Sequence, residues 1–272
     1  MRREPRGRSG TVEVGGLRLH HLGYGDGAPA VVVLPGITSP AITWEFVAEH
    51  LAADGAHVVV PDIRGRGLSD APASGYALTD YVADAVGLIR ALGLERPVVL
   101  GHSMGARIAA ALGAAHPDEV GPLVVVDPPL SGPGRGEYAT SLDSFRQQLH
   151  EAYRGTNPDE VRRFYPGWSE DALQLRAEWL PTCAEQAVVE SWQHFSDEDF
   201  FAPWSELPAP LLFVYGAESP VVTPEGVADV AAANPRAQVT GIAGAGHMIP
   251  WDNLDDFLRV VRSFLATAAV PS

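Results

Sequence analysis

The stretch PVVLGHSMGARIAAALGAA, Pro97 to Ala115, decides how this chain is read. Pro97 to Leu100 is a short apolar run of the kind that forms a strand buried on both faces. Ala106 to Ala115 carries small and apolar residues suited to a helix. Between them stands GHSMG, Gly101 to Gly105, a G-x-S-x-G pattern in a strand-turn-helix context. Glycines flank the serine because so sharp a turn leaves little room for side chains. The turn lifts Ser103 Oγ clear of the backbone, at the amino end of the following helix. The pattern recurs by chance in glycine-rich chains, so its placement is what gives it meaning.

Working outward, Val12–Val14 and Leu17–His21 flank Gly15-Gly16 and read as a hairpin. Buried strands are predicted at Ala30–Leu34, Val58–Val60, Leu123–Val126, Leu211–Tyr215 and Gln238–Ile242. Helical spacing recurs over Pro40–Ala53, Leu78–Leu92, Glu225–Ala233 and Asn253–Leu265. Alternation of this kind predicts an α/β fold, a mostly parallel sheet flanked by helices. From Pro128 to Leu207 the alternation stops, and helical segments rich in Trp, Tyr, Phe and Arg take over. Residues 1–127 and 208–272 are therefore expected to form the core, and 128–207 an inserted helical cap. Such a cap would cover the carboxyl edge of the sheet, where open α/β sheets bind ligands.

The formal net charge of −15 disfavours nucleic acid and anionic membrane as partners. All 19 basic residues are arginine, the better side chain for gripping a carboxylate at two points. The single cysteine, Cys183, allows no internal disulfide and reads as a buried apolar residue. No run is apolar enough to span a bilayer, and MRREPRGRSG lacks the apolar segment of a signal peptide. The expectation is a cytoplasmic protein with a disordered N-terminal tail. No spacing of His and Cys suggests a metal, and no phosphate or dinucleotide loop suggests a cofactor.

A serine hydroxyl is a weak nucleophile until a base accepts its proton. Of nine histidines, His247 in IAGAGHMIPWDN follows the last predicted strand, on the sheet edge that carries Ser103. His102 is expected to diverge from the nucleophile and to be structural. The oxyanion formed on attack needs fixed N–H donors, each worth ~2.7–4 kcal/mol in the transition state. Met104 N–H is one candidate and Ile37 N–H, after Pro35-Gly36, is the other.

LPGITSP, DIRGRGLSD, GHSMG and GAGHMIPWDN together resemble the α/β-hydrolase fold family over nearly the whole chain. LPGITSPAITW, GHSMGAR, VDPPLSGPGR, LRAEWLPTC and AGHMIPWDN are similar, more narrowly, to the formamide-cleaving deformylases of nicotinate breakdown within it. In most members the acid that serves the histidine follows the strand matching Leu211–Tyr215. Here that loop offers Glu218, Ser219 and Pro220, with Ser219 at the matching position. Asp127, at the end of the preceding strand, is the preferred acid, and Glu218 remains the alternative. Some members place their acid at the Asp127 position, and the deformylase resemblance points there too. Pro35 departs from the His-Gly usual before the oxyanion donor.

The resemblance implies a serine hydrolase that cleaves the C–N bond of a small anionic amide through an acyl-serine. An anionic substrate needs a cation once it leaves water, and Arg135 and Arg176 in the cap are the candidate clamps. Thr38 and Ser39 lie beside the oxyanion donor, Trp179 is a candidate apolar wall, and Arg64 is expected to brace the loop beside the elbow. An amidase for an acylaminomethylene dicarboxylate, a general carboxylesterase acting on neutral esters, and a non-enzymatic ligand-binding protein on this fold are the other readings.

Overall fold

The computed structural model describes residues 2–268. Its strands are β1 (Arg8–Val14), β2 (Leu17–Tyr24), β3 (Ala30–Leu34), β4 (His57–Pro61), β5 (Val98–His102), β6 (Leu123–Val126), β7 (Leu211–Gly216) and β8 (Gln238–Ile242). They form one sheet in the order β1-β2-β4-β3-β5-β6-β7-β8. The β1–β2 and β2–β4 pairs are antiparallel, and every pair from β4 to β8 is parallel.

The flanking helices are α1 (Glu45–Ala53), α2 (Leu78–Ala91) and α3 (Met104–Ala115), with α9 (Pro224–Ala233), α10 (Ile249–Asp252) and α11 (Leu254–Ala268) after β7. Successive strand residues point to opposite faces. Val32, Val99, Val125 and Phe213 therefore join Leu88 of α2 and Ile108 of α3 on one side. Val31, Leu100, Val124 and Leu212 join Val47 of α1 and Phe257 and Val261 of α11 on the other. Burying each such side chain stabilises the fold by about 1.5–3 kcal/mol relative to exposure. Strands covered on both faces are apolar through their centres, which is why β3 to β6 are built around Val and Leu runs.

Between β6 and β7 the chain forms α4 (Leu142–Tyr153), α5 (Pro158–Arg162), α6 (Glu170–Trp179), α7 (Glu185–Asp197) and α8 (Phe201–Glu206). Ser141, Asn157 and Ser169 cap α4, α5 and α6 by accepting from backbone N–H groups one turn in. Val161, Trp168, Leu173 and Ala177 form a small core of their own there.

Two expectations are corrected. The helix read over Pro40–Ala53 is a 3-10 turn, Ala41–Trp44, followed by α1. The N-terminal stretch is not a disordered tail. Glu45 is 1% exposed, and a carboxylate so placed requires donors. Arg6 supplies its backbone N–H at 2.6 Å and Nε at 2.9 Å, and Arg3 Nη2 bonds the same carboxylate. Strand β1 then begins at Arg8.

Candidate active site

Strand register brings the candidate residues together. His102 of β5 pairs with Val126 of β6, which pairs with Val214 of β7. One residue beyond, Ser103 N–H donates to Val126 O at 2.9 Å and Asp127 N–H to Val214 O at 2.8 Å. Ser103 and Asp127 thus leave adjacent strand ends side by side. Both do so with positive φ, +56° for Ser103 and +47° for Asp127, conformations that side-chain-bearing residues adopt at a cost. The elbow tolerates no larger neighbours. A Cβ at Gly105 would lie 2.0 Å from Leu34 O, and one at Gly101 2.1 Å from Gly105 O.

His247 arrives in the loop after β8. Its Nδ1 lies 2.7 Å from Asp127 Oδ2 and its Nε2 3.0 Å from Ser103 Oγ. A carboxylate only accepts, so in the neutral ring Nδ1–H donates to Asp127 and Nε2 accepts from the serine hydroxyl. Asp127 is fully buried, and its carboxylate also accepts from Gly216 N–H at 3.0 Å and Ser219 Oγ–H at 2.6 Å. Glu218 is exposed, and its backbone N–H donates to Ala245 O at 2.9 Å.

His102 diverges from Ser103 and lies against His247 from behind, with ring centroids 4.9 Å apart. Complete burial and the neighbouring His247 push its pKa down to about 3. It is therefore neutral, and its Nε2–H donates to His247 O at 2.9 Å, anchoring the loop that carries His247.

Met104 is the first residue of α3, where helix N–H groups lack intrahelical acceptors and the dipole favours negative charge. Across the cleft the Ile37 peptide is held by Arg66, whose Nε donates to Ile37 O at 3.0 Å. Arg66 is 1% exposed and also donates to Tyr81 Oη at 2.7 Å and Ser191 Oγ at 3.1 Å. Bracing of the Ile37 loop therefore falls to Arg66. Arg64, expected to brace the loop beside the elbow, is half-buried and ties its own loop to α2, donating to Asp84 at 2.5 Å and to Gly75 O at 2.7 Å.

These groups face a cavity of about 380 Å³ whose walls include Thr38, Ser39, Tyr138, Tyr165 and Arg176. Tyr138 stays protonated, since burial pushes its hydroxyl up to about 12. Arg176 is 4% exposed. Its Nη1 donates to Thr38 O at 3.3 Å, and its Nη2 donates to Thr38 Oγ1 at 3.2 Å and Gln148 Oε1 at 3.1 Å. Its Nε is buried without a partner, and among the described residues no carboxylate forms an ion pair with it.

Two candidates are not brought to this cavity. Arg135 pairs with Asp229 at 2.9 Å and stacks on Phe201, with its guanidinium carbon 3.7 Å from the ring centroid. Trp179 is buried, and its Nε1 donates to Arg3 O at 3.3 Å. Both find partners on neighbouring elements, which sequence position does not reveal. Tyr138, in the loop before α4, and Gln148, within α4, were missed because a lone Tyr or Gln carries no motif.

Cys183 is buried, and desolvation pushes its thiol up to about 12. Among the described residues no group of three or more His, Cys, Asp or Glu is placed to hold a metal, and no helix is long and apolar enough to cross a membrane.

Residues 29–254 match the family model of the alpha/beta hydrolase fold. An N-formylmaleamate deformylase of Pseudomonas putida is 41% identical over 257 residues, covering 94% of this chain and 96% of that protein. A 2-(acetamidomethylene)succinate hydrolase of Mesorhizobium japonicum is 28% identical, covering 94% and 95%. A crystal structure of an N-formylmaleamic acid deformylase from Pseudomonas putida superposes with a TM-score of 0.89 at 37% identity, covering 93% of this chain and all of that one. With its nucleophile-elbow geometry and an eight-stranded, mostly parallel sheet, this chain belongs to the α/β-hydrolase fold family and is a hydrolase.

Proposed function

We propose that the chain is a serine-dependent deformylase of a small anionic amide, with N-formylmaleamate as substrate and maleamate and formate as products. In this reading residues 128–207 are a cap whose helix α6 supplies Arg176 to the catalytic cavity. The observation that carries the substrate class is this arginine, buried without a carboxylate partner in the cavity that holds Ser103 and His247. A buried cation is costly unless paired, and a substrate carboxylate would supply the missing charge. The similarity to the P. putida deformylase supports the choice of a formyl group.

The bonds already described support this mechanism. Ser103 Oγ attacks the formyl carbon as its proton passes to His247 Nε2, and Asp127 stabilises the resulting imidazolium. The Ile37 and Met104 N–H groups receive the oxyanion at the amino end of α3. His247 then protonates the departing amide nitrogen, releasing maleamate. Water, deprotonated by His247, cleaves the formyl-serine to formate.

The test is formate release from N-formylmaleamate by the wild type and by Ser103→Ala, with neutral p-nitrophenyl esters assayed beside it. Release that vanishes in Ser103→Ala supports the deformylase. A folded wild type that hydrolyses neutral esters but leaves N-formylmaleamate intact overturns the substrate.

A further inference from the structure

Away from this cavity, on the antiparallel edge of the sheet, a second set of side chains repeats the order serine, histidine, aspartate. Ser9 Oγ lies 2.7 Å from His20 Nε2, and His20 Nδ1 lies 2.7 Å from Asp62 Oδ2. Ser9 belongs to β1, His20 to β2, and Asp62 directly follows β4. Because β1, β2 and β4 are neighbours in that order, the three groups line up across the sheet.

The burial is graded outward. Asp62 is 2% exposed, His20 5%, and Ser9 is open to solvent. The Asp62 carboxylate is fixed by Ala41 N–H at 2.6 Å on Oδ1 and Leu68 N–H at 3.0 Å on Oδ2. It can only accept, so the proton of a neutral His20 ring resides on Nδ1. Nε2 then holds a lone pair, and the Ser9 hydroxyl donates to it. A serine attacks from this state with its base already in contact.

We propose that Ser9 is a second acylation site, reactive toward activated carboxylic esters. Ser9 Oγ bonds to the carbonyl carbon and the ester C–O bond breaks. The aryloxide leaves with the electron pair, while the serine proton passes to His20 Nε2 and from there to the aryloxide or solvent. Ser9 lies within a strand, whereas Ser103 stands at the amino end of α3. Water must therefore hold the oxyanion at Ser9, and reaction is confined to esters whose leaving group departs unaided.

The test uses Ser103→Ala protein, which silences the first serine and makes the outcome independent of the proposed deformylase activity. This protein is incubated with p-nitrophenyl acetate, digested, and its acetylated peptides quantified. Acetylation of Ser9 is expected at least about ten-fold above that of Ser74 and Ser263, exposed serines whose hydroxyls lack a histidine partner, and adding His20→Gln should bring Ser9 down to their level. Ser9 labelled no more than Ser263 overturns the proposal, as does labelling that persists in a folded His20→Gln protein. Should His20→Gln fail to fold, the ratio of Ser9 to Ser263 still decides.

Discussion

Ser219 Oγ donates to Asp127 Oδ2 at 2.6 Å, joining the loop after β7 to the acid at the end of β6. The same oxygen, Oδ2, also accepts from His247 Nδ1 at 2.7 Å. Ser219 in turn accepts from Val221 N–H at 3.1 Å, so the hydroxyl proton is directed at Asp127. A hydrogen bond to a charged group is worth about 1.5–3 kcal/mol. Ser219→Ala is therefore expected to lower kcat about ten-fold at unchanged KM, with Ser219→Thr retaining most activity. Steady-state kinetics on N-formylmaleamate check this, and an equal loss through KM would contradict it.

The two candidate acids separate cleanly. Asp127→Asn leaves His247 without a charge partner and favours the wrong ring tautomer, a change that costs about 10⁴-fold in serine hydrolases. Glu218 is exposed, so Glu218→Gln is expected to keep near-wild-type kcat. Parallel formate-release assays distinguish them, and a collapse in Glu218→Gln would reverse the assignment.

Arg176→Gln is expected to raise KM for N-formylmaleamate at least about ten-fold, from the loss of one charge-assisted contact. Hydrolysis of a neutral p-nitrophenyl ester should change little. If both substrates suffer alike, Arg176 supports the cavity wall instead of the substrate.

His102 links the site to acid stability. Its pKa lies near 3 in the folded protein and near the ordinary 6.5 when unfolded. Between those values the unfolded chain binds the extra proton, so this group's contribution is full above pH 6.5 and is lost as pH falls toward 3. Urea unfolding from pH 7 to 4.5 should show stability falling more steeply for the wild type than for His102→Asn. Parallel slopes would remove His102 from the account.

The N-terminal stretch contributes to stability through Glu45. Removing residues 1–7 takes away the Arg3 and Arg6 donors and leaves a buried carboxylate poorly compensated. The melting temperature is expected to drop, and Glu45→Gln in the shortened chain should recover part of the loss. No change on truncation would mean that water replaces the arginines.

The amino-acid sequence by itself determined the alternation of strands and helices, the elbow at Ser103 and the placement of His247, because each is written in local patterning. Buried parallel strands are apolar through their centres, an elbow must keep its glycines, and a histidine after the last strand falls on the edge where the elbow opens. It also showed Ser219 where an acid is usual, but not what Ser219 does. Tertiary structure alone decided that the Asp127 carboxylate faces His247 while Glu218 turns to solvent. The relevant distance is set by the β5–β6–β7 register and by backbone at positive φ, neither of which a string of residues displays. It likewise set Arg176 in the cavity and Arg135 on Phe201, and drew an apparently unstructured N-terminus onto Glu45. Arginines are alike in sequence, and only packing decides which of them meets a carboxylate, an aromatic ring or the wall of a cavity.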